Sequence, residues 1–258
     1  MIANYHTHTH RCNHALRVPD EEYVKEALKA GLKILGWADH TPYTFPGGYY
    51  SNFRMRPLQL PGYVKTIEDL REKYAGQITQ FIGLETEYYP KHFSSLIAFL
   101  RDFPIDYLIL GQHFIGNEYD ALYCGMITGD RDVVRAYCRQ SIEAMHTGLF
   151  TYFAHPDLIH YSDDKRFYQA KVRDLCAEAK NCGIPLEINL LGIREGKWYP
   201  NRWFWEMAAA EGCDVILGCD AHSPQALNNP EAERKALAMV KELGLNLLET
   251  AALRSIHK

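Results

Sequence analysis

His6 and His8, two residues apart in Tyr5-His6-Thr7-His8, open a pattern that recurs along this chain: a short apolar run ending in a side chain that can bind a metal ion. It returns at Trp37-Ala38-Asp39-His40, Phe81-Ile82-Gly83-Leu84-Glu85, Leu110-Gly111-Gln112-His113, Tyr152-Phe153-Ala154-His155 and Leu217-Gly218-Cys219-Asp220-Ala221-His222. One histidine after a strand carries little information, because an ordinary hydrogen-bonded imidazole is commoner than a ligand. Six repeats imply that many strands deliver imidazoles and carboxylates to one end of one barrel. Mixed nitrogen and oxygen donors suit zinc, iron or manganese. The chemistry they point to is that of a multinuclear metallohydrolase.

Spacing refines the list. Residues at i and i+2 of a strand share a face, so His6 and His8 should look the same way, as should Asp220 and His222 on the last strand. Asp39 and His40 are adjacent and must face apart; His40 is the one expected to look inward. Glu85 brings a carboxylate, which can bridge two ions as an imidazole cannot. His92, His146 and His257 fall on helices or the tail, outside the pattern, and His10 is given no role. His160 is a candidate pocket residue.

These groups need a scaffold, and the sequence describes one. Strand-like runs near 2–8, 33–40, 78–86, 106–114, 151–156, 185–191 and 214–221 alternate with helical patterns near 20–31, 60–75, 92–102, 130–148, 165–182, 200–211 and 230–244. In the first helix Asp20 is expected to cap, Glu21 and Glu22 complement the macrodipole, and Gly31 marks the stop. Alternating strands and helices imply parallel strands with right-handed crossovers. Seven such units predict a distorted TIM-like (β/α)7 barrel, an α/β fold, as a single domain over 1–258. The long connections 41–59, which carries Arg54 and Arg56, and 115–130 follow strands at the ligand end, where loops shape substrate pockets.

Bulk composition narrows the partners. With 47% hydrophobic residues the chain can bury a sizeable core, and its formal net charge of −4 offers no bulk attraction for nucleic acid. No apolar run approaches the roughly 20 residues of a membrane span, and no signal peptide is read at the start. Seven scattered cysteines without C-x-x-C spacing fit a reducing cytoplasm.

Taken in order, His6-Thr7-His8-Thr9 with Cys12 and His14, then Ala38-Asp39-His40, Gly83-Leu84-Glu85, Gln112-His113-Phe114, Ala154-His155 and Cys219-Asp220-Ala221-His222 resemble the PHP (polymerase and histidinol phosphatase) superfamily, most closely its histidinol-phosphatase branch. The resemblance implies a trinuclear site. His6, His8, Glu85 and Asp220 would hold the first ion; Glu85, His113 and His155 the second; His14, His40 and His222 the third. It also implies two to three divalent transition-metal ions (Zn, Fe or Mn). Such ions, with so few carboxylates around them, favour a phosphate dianion. The expected reaction is metal-dependent phosphomonoester hydrolysis through a metal-bridging hydroxide, with L-histidinol phosphate as the favoured small phosphorylated metabolite.

Arg194, after the sixth strand in Gly192-Ile193-Arg194, is the expected phosphate clamp, since guanidinium matches phosphate with paired hydrogen bonds. Relatives often carry a further basic residue after the fifth strand; this chain has Asp157-Leu158-Ile159-His160 there. Asp220 or His222 is the expected source of the leaving-group proton, relayed by water. Glu187 and Asn189, on one face of the sixth strand, either bind substrate or brace the barrel. The competing readings are a PHP-type phosphodiesterase or exonuclease, a phosphatase of another small phosphorylated metabolite, and a non-catalytic metal-binding module. The complete ligand set speaks against the last.

Overall fold

The computed structural model describes residues 1–257. Its strands are β1 (Ala3–Asn4), β2 (Ile34–His40), β3 (Thr79–Thr86), β4 (Tyr107–Leu110), β5 (Phe150–Phe153), β6 (Leu186–Asn189), β7 (Asp214–Gly218) and β8 (Asn246–Leu247). The helices are α1 (Glu21–Lys29), α2 (Leu60–Lys73), α3 (Phe93–Leu100), α4 (Arg131–His146), α5 (Lys165–Asn181), α6 (Leu190–Glu195), α7 (Arg202–Glu211) and α8 (Pro230–Leu243). All strands pair in parallel, in the order β1 to β8. The curled sheet with helices outside is the distorted TIM-like architecture expected. Seven strands carry the wall, and the two-residue β8 adds an eighth at the end of β7 away from the site, which the sequence pattern does not announce.

The wall closes between β1 and β7 with very little ladder. A parallel bridge joins Thr7 to Ala221: the His8 N–H donates to Ala221 O at 2.9 Å and the Ala221 N–H to His6 O at 3.1 Å. Below it, the Asn4 amide replaces missing backbone bonds, accepting the Cys219 N–H at 2.8 Å and donating to Thr7 Oγ1 at 2.8 Å. That break also shifts the phase of β1. Ala3 and Tyr5 belong to the barrel's interior cluster, yet His6 and His8 both reach the site above it. An unbroken strand over 2–8 could not do this.

Tyr5, Tyr107 and Tyr152 fill the barrel's interior below the ligands. The Tyr107 hydroxyl donates to Tyr5 O at 2.6 Å and lies 3.0 Å from Trp37 O. It can lie there because β2 and β3 carry Gly36 and Gly83, where any Cβ would collide with its ring or hydroxyl. The larger core packs between the outer faces of the strands and the helices, with Leu35, Trp37, Ile82, Leu84, Leu108 and Leu110 facing it.

Two local expectations change. Asp20 stands at the start of α1 but caps nothing; its carboxylate takes a hydrogen bond from Arg11 at 2.6 Å. After β6, Asn189 Oδ1 accepts the Gly192 N–H at 3.2 Å and starts the short helix α6, so residues 190–195 are helix and not the end of a strand.

Candidate metal centre

Parallel register places the groups. β2 and β3 pair residue for residue from Ile34↔Thr79 to His40↔Glu85, so His40 and Glu85 emerge side by side on the interior face. Asp39 pairs with Leu84 and points the other way, accepting the N–H and hydroxyl of Thr9. Two ligand-bearing turns have positive φ without glycine, His155 at 32° and Asp220 at 45°. Positive φ is uncommon outside glycine, though Asp and His adopt it more readily than most, and it occurs here just beyond the ends of β5 and β7, where both side chains reach the cluster.

Glu85 is the hub. Its Oε2 lies 3.1 Å from His40 Nδ1, 3.4 Å from His8 Nε2 and 3.5 Å from His6 Nε2; its Oε1 lies 2.8 Å from His155 Nε2 and 3.6 Å from His113 Nε2. Gly111 makes room for it, because a Cβ there would overlap the carboxylate. Asp220 Oδ1 forms a second focus, 3.2 Å from His8 Nε2, 3.5 Å from His6 Nε2 and 3.3 Å from His222 Nδ1. His14 and His222 meet Nε2 to Nε2 at 2.8 Å, and with His40 they bring three ring nitrogens together. All nine residues singled out from the sequence therefore converge on one end of the barrel.

Carboxylates behind the histidines fix their rings. Glu187 Oε1 lies 2.9 Å from His6 Nδ1, and its Oε2 accepts the His155 N–H at 3.0 Å. Glu87 Oε1 lies 2.8 Å from His113 Nδ1. Such partners set the tautomer and aim the other nitrogen at a metal. Glu187 thus braces His6 and His155, and Asn189 braces Asp220, whose Oδ2 accepts from Asn189 Nδ2 at 3.1 Å. Glu87 escapes the sequence pattern, although its i+2 spacing from Glu85 was a usable signal.

Burial and mutual charge move these groups apart. Burial alone would lower His6, but Glu187, Asp220 and Glu85 outweigh it and hold the imidazole up at about 10. His8 is raised against its burial by Asp220 and Asp39, and His155 by Glu85. His14 drops to about 4 through burial and the neighbouring His222 and His8, and burial holds His40 well down. Glu85 and Asp220 resist burial because the imidazoles around them keep both ionised. Several ring nitrogens remain buried without a hydrogen-bond partner, namely His6 Nε2, both of His8, His40 Nδ1 and His155 Nδ1. Native proteins rarely leave such atoms unsatisfied. With mixed donors gathered within 4.8 Å of one another, the set suits divalent metal ions.

A cavity of about 400 Å³ opens over the cluster. His14, His40, His113, His155 and His222 form one side; Phe53, Phe114, Tyr123, Leu158, Leu191 and Tyr199 give it apolar walls; Glu195 and Lys197 stand at its edge. Phe53 and Tyr123 come from the connections 41–59 and 115–130, which do shape the pocket. Arg54 is fully buried between them, bonded to Glu118 Oε1 at 3.0 Å and to Glu87 Oε2 at 3.1 Å. Arg194 is outside the cavity lining, with Nη1 3.5 Å from Cys219 O and its side chain 21% exposed. His160 is outside it too, stacked on Trp198 with ring centroids 4.4 Å apart. His10 sits near the surface, 3.7 Å from Asp20.

Comparison with known proteins agrees with this geometry. The family model described as "PHP domain" matches residues 4–190. A Deinococcus radiodurans protein named "Probable histidinol-phosphatase" is 31% identical over 237 residues, covering 86% of this chain and 87% of that one. The histidinol-phosphatase of Bacillus subtilis is 25% identical over 252 residues, covering 84% and 92%. Among solved structures, a histidinol phosphate phosphatase from Lactococcus lactis, crystallised with zinc, L-histidinol and phosphate, superposes with a TM-score of 0.74 at 21% identity, covering 99% of this chain and 97% of that one.

Proposed function

This chain belongs to the PHP family, in its histidinol-phosphatase-like branch, and from that premise we propose that it is a metal-dependent phosphomonoesterase acting on L-histidinol phosphate. The observation that carries the reading is the Glu85 hub. One buried carboxylate faces five imidazoles, and among their nitrogens His6 Nε2, His8 Nε2 and His40 Nδ1 are buried without a hydrogen bond. The residues that would hold two to three ions of zinc, iron or manganese are His6, His8, His14, His40, Glu85, His113, His155, Asp220 and His222. Divalent ions held there supply Lewis-acid charge for the phosphoryl oxygens and acidify water enough to attack at neutral pH.

The chain's own groups do the rest. Glu187 and Glu87 keep His6 and His113 in one tautomer, so the donors need no rearrangement when substrate arrives. Phe53, Phe114, Tyr123 and Tyr199 enclose the leaving group and exclude water around it. Asp220 and His222, both in the cavity wall, are placed to relay a proton through water to the departing oxygen. Arg194 would clamp the phosphate by swinging off the Cys219 carbonyl it now approaches. A cavity of about 400 Å³ suits a small metabolite. Among the described residues lining it, Lys197 is the only Lys or Arg, which gives a polynucleotide backbone no basic track.

The same reading makes residues 1–258 one domain and places it in the cytoplasm, where the seven cysteines, all free, would stay reduced. No helix among the described residues is long and apolar enough to cross a membrane.

Rates on histidinol phosphate, p-nitrophenyl phosphate, bis(p-nitrophenyl) phosphate and single-stranded DNA, after reconstitution with Mn, Zn or Fe, test it. Histidinol phosphate should be fastest and p-nitrophenyl phosphate measurable, with the diester and DNA far slower. Faster cleavage of the diester and DNA would replace this reading with the exonuclease one. Histidinol phosphate ranking among the poorest monoesters would keep the reaction and assign another metabolite.

A further inference from the structure

We propose that Lys197 binds the phosphate of the substrate, an inference that deepens the phosphatase reading and rests on it. The chain is short of cations where a phosphate would sit. Asp157-Leu158-Ile159-His160, after β5, contains no Lys or Arg, and Arg194 lies outside the cavity lining. Lys197 lies in that lining, with His155, Tyr199 and His222.

Its platform is built. Gly196, at φ 62°, ends α6 in the left-handed conformation, and the Lys197 N–H returns to Gly192 O at 2.9 Å. On the other side Trp198 Nε1 donates to Leu158 O at 2.8 Å, and the His160 ring lies flat against the Trp198 indole at an interplanar angle of 1°. Tyr199 packs so closely on Gly192 that a Cβ there would collide with it. Residues 196–199 are thereby fixed to α6 and to the segment after β5. His160 serves as a prop under the lysine's neighbour, so the position after β5 supports a cation on the next connection instead of supplying one.

The Lys197 ammonium is free to take a ligand. Among the described residues its one ion pair is with Glu195 Oε2 at 3.2 Å, and the Glu195 side chain is 47% exposed. Solvent screens such a pair, and an ammonium carries three donors, of which Glu195 uses one. A phosphate dianion presents more charge and more acceptors than one solvated carboxylate, and would draw the lysine inward.

Inorganic phosphate is the probe, applied to the metal-loaded protein as a competitive inhibitor of p-nitrophenyl phosphate hydrolysis and as a ligand that raises the unfolding temperature. Lys197→Gln should raise the phosphate Ki by about 10- to 100-fold, the scale of one charge-assisted hydrogen bond. It should also shrink the thermal shift while metal content stays normal. Lys197→Arg should recover most of the loss. The proposal is overturned if the wild type responds to phosphate in both assays and Lys197→Gln responds equally. A wild type that cleaves no monoester and ignores phosphate would instead overturn the phosphatase reading itself, and this one with it.

Discussion

Replacing Glu187 with glutamine should loosen metal binding, by an amount that depends on pH. The carboxylate is fully buried and makes two bonds of different kinds, to His6 Nδ1 at 2.9 Å and from the His155 N–H at 3.0 Å. Glutamine offers one acceptor oxygen and one donor NH₂. With its oxygen on the His155 N–H, its NH₂ faces His6 Nδ1, which then either opposes a donor or gives up its proton and its tautomer; turned the other way, NH₂ opposes the His155 N–H, a cost of about 1–3 kcal/mol to the folded protein. Losing a carboxylate behind a metal-ligating histidine typically costs a further ~10- to 100-fold in metal affinity. A proton competes for the same imidazole, because Glu187 is foremost among the charges that hold His6 up at about 10. Its removal therefore weakens both the proton and the metal, the divalent ion more because it carries twice the charge. The ratio of variant to wild-type Kd should be smallest near pH 6 and should grow as pH rises towards 10. Zinc or manganese titration against a competing chelator at several pH values measures this ratio, and thermal unfolding of the metal-free proteins measures the folding cost. A ratio within twofold of one at pH 9, with unchanged unfolding, would refute the view that Glu187 holds His6 for a metal.

Three further outcomes are expected. Gently purified protein should carry two to three transition-metal ions per chain by elemental analysis, and Glu85→Gln should lower metal content and activity together; one ion or none after metal supplementation would count against the trinuclear site. Arg54→Leu should destabilise the fold by about 3–5 kcal/mol in urea, because it strands Glu118 as a buried charge and leaves Glu87 to His113 alone; a loss under about 1 kcal/mol would show that they relax to solvent. Asp157, whose carboxyl burial pushes up to about 6, accepts from both Asn201 N and Trp205 Nε1 on one oxygen, which asparagine can reproduce. Since the folded pKa exceeds the unfolded one, the group favours folding below about pH 4, and that contribution is lost as pH rises through 6, by up to about 3 kcal/mol. Asp157→Asn should therefore be more stable than wild type at pH 8 and lose the advantage by pH 4, as pH-dependent calorimetry would show.

The strand ends whose side chains converge were legible because histidine, glutamate and aspartate after apolar runs are chemically conspicuous, and the barrel followed from the alternation around them. What escaped was set by contacts between distant segments. Leu190-Leu191 reads as the end of the sixth strand, but the Asn189 side chain turns back on Gly192 and they open α6. That change moves Arg194 off the cavity wall and brings Lys197 onto it. Asp20 has the composition of a cap, but Arg11 claims its carboxylate. The phase shift in β1 depends on Asn4 reaching β7 more than 200 residues away, for which no local pattern exists. Glu87 was nearer to being readable, because it continues the i+2 rhythm of Glu85 beyond the end of β3.

The Arg54 cluster has a consequence for how molecules enter and leave. Its guanidinium joins the connection 41–59, the carboxylate that steadies His113, and Glu118 of the connection 115–130, with the Phe53 ring 4.6 Å beneath it. Swinging either connection outward would expose three charges at once and undo the support of the His113 ring. The cluster thus ties the two connections to one another across the rim of the cavity. If the tie holds during turnover, substrate and product pass an opening of constant width, and no lid movement limits the rate. Solvent viscosity should therefore slow this enzyme only as far as it slows free diffusion of phosphate away from the mouth.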